Sequence, residues 1–353
     1  MKGKIEISYL TIEEITRMFK EMGHPAYRAN QVYKWMCLGE TDFNNMTDLP
    51  KDFREKLKES FIFGKLKIIQ KLQSNIDNTV KYIFGADDGN IIESVFMKYS
   101  FGNTVCISTQ AGCKMGCIFC ASTNVPFGRN LTPGEMLLQV IMIQDDTAEK
   151  INNIVMMGIG EPLDNYDNVI KLAKNLHFEN GLNVGYRRIT ISTCGIVPGI
   201  ENLIKEKIPV NLSVSLHSPY NHERDNMMPV NKVYPIDNLI SVCNIYTKET
   251  MRRITFEYTL IDHVNDSQQH ALDLAKLIKG MLCHVNIIPL NIVGDIKMGK
   301  SSIDRIERFK AKLDSKGIEA TIRRELGSDI KAACGQLRSN IVKQVQGDIG
   351  KEG

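Results

Sequence analysis

Residues 106–121 read CISTQAGCKMGCIFCA and hold four of the chain's nine cysteines. Cys113, Cys117 and Cys120 stand as C-x3-C-x2-C on one short stretch, with Cys106 just upstream. A structural zinc site takes four ligands, normally as two separated pairs, and no partner pair at that spacing accompanies these three. Three thiolates on a cubane iron–sulfur cluster leave one iron without a protein ligand, open to substrate. On spacing alone, a zinc site completed by a distant His or Cys, and buried cysteines with no metal, stay open beside that reading.

Working outward, strand-like and helix-like segments alternate beyond Asn103 in units of roughly 30 residues, the length of a βα repeat. The strand candidates are TVCIST (104–109), NNIVMMG (152–158), RRITIST (187–193), PVNLSVSLH (209–217), RITFEYTLI (253–261) and HVNIIPLN (284–291). Each precedes a loop and a periodic helix, the first with Thr132 as cap, Pro133 at its first position and Glu135 completing a capping box. The fold class is α/β, a partial (β/α)6 barrel, open because a closed one needs eight strands. Barrel chemistry sits at the C-terminal ends of strands, where the cysteine cluster, GIGEP (158–162), Ser192, SLHS (215–218) and Asn291 all fall. A last segment, EATIRRELGSDIKAACGQLRSN (319–340), adds one strand and a tail with Cys334.

Upstream, the chain reads as helical to about Phe61. Thr11 and Glu14 form a capping box for a helix ending at Gly23, and LPKDFREKLKESF (49–61) carries proline in its first turn. From Thr79 to Met97 the period falls to two, with a hairpin through Asp88-Gly89. The division is 1–98 as a helical plus β-ribbon accessory domain, 99–330 as the barrel, and 331–353 as a C-terminal extension. Strand alternation sets Glu93 on the face of Ile91, Val95 and Met97, where an unpaired carboxylate is costly, unless the hairpin register is shifted.

At 353 residues the chain can bury a core and form about two or three domains. It has 43% hydrophobic and 24% charged residues, which fits a globular protein without low-complexity tracts. The N-terminus lacks an apolar leader and no run approaches the roughly 20 apolar residues of a membrane span, so the expectation is a cytoplasmic chain with no membrane partner. In that reducing setting clustered thiols indicate metal binding or catalysis rather than a disulfide framework. A net charge of +3 permits a nucleic-acid partner without arguing for one.

The cysteine spacing, with Phe119 directly before Cys120, resembles the radical S-adenosylmethionine (SAM) superfamily, and Gly158, Gly160, Glu161 and Pro162 match its glycine–glutamate motif. No Rossmann G-x-G-x-x-G follows a strand and no P-loop occurs. Further stretches extend the resemblance: GRNLTPGEMLLQV, MGIGEPLDNYDNV, SLHSPYNHERDNMMPVN, FEYTLIDHVNDS, CHVNIIPLN and GSDIKAACGQLR. Together they are similar to a family of bacterial RNA adenosine methyltransferases acting on carbon 2 of an adenosine in 23S rRNA and in tRNAs.

That resemblance implies a radical SAM barrel with one 4Fe–4S cluster on Cys113, Cys117 and Cys120, and two SAM molecules per turnover. It implies that Cys334 accepts a methyl from one SAM, while a second is cleaved to a radical that takes hydrogen from that S-methyl group. The carbon then adds to the adenine ring, giving a covalent protein–RNA adduct. Glu93 accepts the ring proton, and Cys106 attacks the sulfur of Cys334, releasing the base and leaving a transient disulfide for an external reductant. Gly160, Glu161, Ser192, Ser215, Leu216, His217 and Asn291 are implied to form the cofactor pocket. Without the resemblance, His217 reads as a packed strand-end histidine, and Cys106 and Cys334 as buried thiols. The implied partners are 23S rRNA, tRNA held by the N-terminal module, and a flavodoxin-type electron donor, with the chain a monomer.

A sister branch methylates carbon 8 of the same rRNA adenosine and confers antibiotic resistance; it shares the cluster, Cys106 and Cys334. GIGEPLDN, FEYTLID and IIPLN look like the carbon 2 branch, whereas SLHSP resembles the sister branch and Ile159 replaces the usual methionine. A radical activase of another protein needs the cluster cysteines but neither Cys106 nor Cys334. A zinc-bearing RNA-binding module is the non-enzymatic alternative.

Overall fold

The computed structural model describes residues 3–291 and 298–337. The extension expected over 331–353 therefore lies outside the described residues beyond 337, as does Arg338.

Ten strands form one sheet among the described residues, and their order along it is their order in sequence. They are β1 (Leu66–Gln73), β2 (Val80–Ala86), β3 (Ile91–Tyr99), β4 (Gly102–Cys106), β5 (Asn153–Met156), β6 (Ile189–Thr193), β7 (Asn211–Ser215), β8 (Ile254–Leu260), β9 (Cys283–Pro289) and β10 (Ala320–Ile322). The steps from β1 to β4 are antiparallel and every later step is parallel. The six expected barrel strands are β4 to β9, with β10 as the short strand foreseen at the end. The ribbon is not a detached hairpin: β3 pairs with β4 from Val95–Cys106 to Tyr99–Gly102, so it extends the barrel sheet itself.

Strand alternation decides what faces where. Val105, Ile154, Ile191, Leu212, Phe256 and Val285 point outward and pack under the covering helices in the main core. Their neighbours Thr104, Asn153, Thr190, Ser213, Thr255 and Asn286 point inward, giving the barrel a polar interior. The outer layer is α4 (Pro133–Thr147), α5 (Tyr166–His177), α6 (Val197–Glu206), α7 (Asn221–Met227), α8 (Ile236–Thr250), α9 (Gln268–Leu277) and α10 (Ile303–Asp314). The capping box of α4 forms as the sequence indicates. Thr132 Oγ1 accepts from Glu135 N at 3.1 Å, and Glu135 Oε2 accepts from Thr132 N at 2.9 Å. No helix among the described residues is long and apolar enough to cross a membrane.

The N-terminal helices α1 (Ile12–Glu21), α2 (Tyr27–Cys37) and α3 (Lys51–Ser60) enclose a separate core around Phe19, Tyr33, Phe53 and Phe61. Phe19 meets Phe53 edge to face at 5.1 Å. Pro50 sits at the N-cap of the third helix rather than inside its first turn. The module is tied to α5: Tyr33 Oη donates to the Asn175 carbonyl at 3.0 Å and Lys171 pairs with Glu14 at 2.9 Å.

Candidate active site

The loop after β4 carries Cys113, Cys117 and Cys120 to the C-terminal mouth of the barrel, where all three line one cavity. Its space, about 1000 Å³ including the open mouth, is that of a cofactor pocket. Among the described residues no three His, Cys, Asp or Glu side chains converge to hold a single metal ion. Three thiols on one cavity are the kind of donor set that an iron–sulfur cluster takes when one iron stays open to substrate. Lys114 pairs with Asp164 at 2.9 Å and its ammonium lies over the Phe127 ring at 5.0 Å, fixing the loop at both flanks. Burial pushes the Cys113 thiol up to about 11 and raises Cys117 further, so thiolate ligation there needs a cation's charge.

Beyond β5 the chain turns through Gly158-Ile159-Gly160-Glu161. Gly160 has φ 103°, and a Cβ there would lie 2.5 Å from Gln110 Cβ, so only glycine allows this close approach. Gln110 in turn orients the motif, its Oε1 accepting from Glu161 N at 2.9 Å. The Glu161 carboxylate, 3% exposed, accepts from Cys194 N at 2.7 Å and Leu163 N at 3.0 Å. Burial raises its pKa, and the Cys194 N–H and Thr193 hydroxyl oppose the rise.

Across the mouth, Arg224 on α7 is fully buried and binds the strand ends. Its Nη2 donates to the Cys194 carbonyl at 2.6 Å and the Ser215 carbonyl at 3.0 Å, and its Nε to the Leu216 carbonyl at 3.1 Å. His217 follows in a left-handed conformation, φ 58°, accepting at Nδ1 from Thr259 N at 2.8 Å. Burial, with Arg224 nearby, lowers its pKa to about 3, which keeps the imidazole neutral with its Nε2–H free of that bond. Phe119 packs edge-on to His217 at 4.7 Å.

Cys334 enters this cavity from the C-terminal segment, which docks on the cysteine loop. Asn291 Nδ2 donates to the Cys334 carbonyl at 2.9 Å, Ala121 N to the Gly335 carbonyl at 2.7 Å, and Ser122 Oγ to the Leu337 carbonyl at 3.1 Å. The turn between β1 and β2 holds the other end: Asp329 accepts from Ser74 Oγ at 2.7 Å and Asn75 N at 2.9 Å. Cys334 also lines a smaller adjoining cavity together with Cys106 and Arg323. Burial pushes the Cys106 thiol up to about 12, with Cys334 adding to the rise and Arg323 opposing it. Cys334 is likewise raised by burial and eased by Arg323.

Residues 5–63 match the ribosomal RNA large subunit methyltransferase N-terminal domain, and 107–275 the radical SAM superfamily. "Probable dual-specificity RNA methyltransferase RlmN" of Thermoanaerobacter sp. strain X514 is 51% identical over 95% of this chain and 98% of that protein. The protein of the same name from Clostridium tetani is 49% identical over 97% and 98%. The chain belongs to the RlmN family. Among solved structures, a radical SAM methyltransferase from Sphaerobacter thermophilus superposes with a TM-score of 0.89 at 44% identity, covering 95% of this chain and 99% of that one. As an RlmN-family member the chain is a radical SAM methyltransferase, with a 4Fe–4S cluster and SAM as cofactors.

Seen against the RlmN-family resemblance, the structure brings Cys113, Cys117, Cys120, Gly160, Glu161, Ser192, Ser215, His217, Asn291 and Cys334 onto one cavity. Leu216 is different: its side chain sits in the main core, and it meets the site through its backbone. Cys106 lines the adjoining cavity. Glu93 is fully buried on β3, in unshifted register opposite Ile83, and pairs with Lys81 at 2.9 Å. Sequence reading passed over Gln110, Cys194, Arg224, Glu257 and Arg323. Arg224 lies within the quoted SLHSPYNHERDNMMPVN, and Glu257 and Arg323 stand at inward positions of strand alternation, where a charge signals a lined cavity.

Proposed function

We propose that this chain methylates carbon 2 of a specific adenosine in 23S rRNA and in tRNAs, through an S-methylated Cys334. The observation that carries the reading is Cys334 on the border of two cavities, one edged by the cluster cysteines and the other by Cys106. Cys113, Cys117 and Cys120 would hold the cluster; Gly160, Glu161, Ser192, Ser215, His217 and Asn291 would surround SAM, with Leu216 contributing backbone. When bound, these groups supply a methyl, from one of two SAM molecules per turnover, and a hydrogen-abstracting radical from the other.

The chain's own residues do the rest. Asn291 and the cysteine loop hold Cys334 at the cavity, where its Sγ accepts the methyl and later carries that carbon to the adenine ring. An electron-poor ring carbon offers no lone pair for displacement, so a carbon radical on sulfur suits it. Glu93 takes the ring proton. The adduct radical gives up one electron to the flavodoxin-type redox partner. Cys106 Sγ then bonds to Cys334 Sγ as the bond from that sulfur to the transferred carbon breaks, and that carbon keeps the electron pair and takes a proton to become methyl. The disulfide returns to thiols through the same flavodoxin-type reductant. Residues 1–98 hold the folded RNA, 99–330 form the catalytic core, and the segment from 331 carries Cys334. The setting is a cytoplasmic monomer, where the remaining cysteines stay reduced.

Position analysis of the modified nucleoside tests the reading. Anaerobically reconstituted enzyme acting on a 23S rRNA fragment yields 2-methyladenosine; modification solely at carbon 8 assigns the chain to the sister activity.

A further inference from the structure

The barrel has a second opening. At the N-terminal ends of its strands, opposite the cysteine cluster, lies a space of about 1460 Å³ including its open mouth, walled by Thr104, Asn153, Thr190, Thr255, Asn286 and Thr321. Closed eight-stranded barrels fill their interior with branched apolar side chains, whereas this open barrel leaves a polar, roomy end. Its ceiling is shared with the cofactor cavity through Met157, Glu257 and Arg323.

The rim is cationic. Arg187 and Arg188 precede β6, Arg252 and Arg253 precede β8, and all four line the space. Register sets the two pairs on either side of β7, since Thr190 pairs with Asn211 and Leu212 with Ile254. Two amides aim the guanidiniums: Arg188 Nη1 donates to Asn153 Oδ1 at 3.1 Å, and Arg252 Nη2 to Asn211 Oδ1 at 2.6 Å. Asn211 Nδ2 donates to the Arg187 carbonyl at 2.8 Å, which fixes that turn as well. Arg253 pairs with Glu319 at 3.1 Å, but among the described residues no ion pair engages Arg187, Arg188 or Arg252. Arg252 Nε is a buried donor with no hydrogen-bond partner among them. The carboxylate inside, Glu257, already accepts from Ser213 and Asn286 and faces Arg323 at 3.8 Å. Among the described residues three guanidiniums thus lack a counter-anion.

An aromatic face adjoins them. Phe101, in the turn from β3 to β4, is 64% exposed and stacks on Tyr99 at 4.8 Å with 13° between the rings, and both line the same space. Guanidiniums match phosphate oxygens through forked donors, and an exposed ring supplies a platform for a base. We propose that this N-terminal mouth is a nucleotide-binding site, with phosphate on Arg187, Arg188 and Arg252 and the base against Phe101. The nucleotide is either free or part of a bound RNA.

Calorimetric titration of the full chain, with the cofactor cavity blocked by saturating S-adenosylhomocysteine, tests this with adenosine monophosphate and with inorganic phosphate. The wild type takes up both. Arg187→Ala/Arg188→Ala weakens both by about tenfold or more, as loss of charged hydrogen bonds does. Phe101→Ala, at an exposed turn position whose ring packs on Tyr99 alone among the described aromatic side chains, weakens the nucleotide by about fivefold or more and spares phosphate. A higher KM for a 23S rRNA fragment with kcat held in both variants identifies the nucleotide as RNA; an unchanged KM with lost nucleotide binding identifies a free one. No uptake of either probe by the wild type at millimolar concentration, or uptake indifferent to both variants, overturns the proposal.

Discussion

Lys81 Nζ lies 2.9 Å from Glu93 Oε2, with the two side chains 5% and 0% exposed, and the same ammonium donates to the Lys331 carbonyl at 3.2 Å. The pair is diagonal on one face, Lys81 opposite Val95 and Glu93 opposite Ile83. One buried cation therefore balances the proposed proton acceptor and tethers the segment that leads to Cys334. Removing one member of a buried pair strands the other charge at about 3–5 kcal/mol. Lys81→Met is expected to lose about that much stability in urea unfolding, and the double variant with Glu93→Gln less than the sum of the two single losses. Strict additivity would show that the two groups do not depend on each other.

Cys106 shares a cavity with Cys334 and with none of Cys113, Cys117 and Cys120, which fits the proposed role of a thiol that acts after the methyl carbon has reached the base. Cys106→Ala is expected to retain SAM cleavage and Cys334 methylation but to stall as a covalent protein–RNA species, seen as an RNase-sensitive shift on a denaturing gel. Free methylated RNA at the wild-type rate, with no shifted band, would count against a resolving role.

His217 gives the fold a pH dependence of known sign. Its folded pKa is lowered to about 3 by burial, with Arg224 adding to the effect, while an unfolded histidine titrates near 6.5. The unfolded state therefore binds the extra proton first as pH falls below about 6.5, and stability is lost progressively down to about 3. Replacing His217 with Gln is expected to flatten the decline of unfolding free energy between those limits. A slope equal to that of the wild type would mean the imidazole is protonated in the fold.

Thr132 starts α4, and Glu135 of the same capping box also pairs with Arg129 at 2.6 Å, joining the end of the cysteine loop to the helix. Thr132→Ala is expected to cost about 1 kcal/mol in thermal unfolding. A cost near zero would show the helix start to be held by its packing alone.

How much of this was legible in the sequence depended on the range of each interaction. The barrel strands and the α4 capping box are local patterns, and each appears where its period or spacing places it. β1 was missed because it is an edge strand: Ile68 and Ile69 are both exposed among Lys67, Gln70 and Lys71, so no face alternates, and lysines are what an unpaired edge carries. The meeting of Cys106 and Cys334 joins a strand at the start of the barrel to a segment near its end. No local period encodes such a contact, and only resemblance to the family suggested it. Leu216 is a motif residue whose side chain sits in the core and whose carbonyl binds Arg224, a placement that its position in the motif does not reveal. Arg224 was hidden for a related reason: burial of an arginine is set by the Ser215, Leu216 and Cys194 carbonyls that converge on it, and composition gives no sign of that convergence.

Cys334 is proposed to carry the methyl to RNA. The direct measurement compares wild type and Cys334→Ala, both reconstituted anaerobically with iron and sulfide, then supplied with SAM, reductant and a 23S rRNA fragment, with digested nucleosides resolved by mass. The wild type is expected to give 2-methyladenosine and the variant none, while the variant still cleaves SAM. Normal methylation of RNA by Cys334→Ala would contradict it.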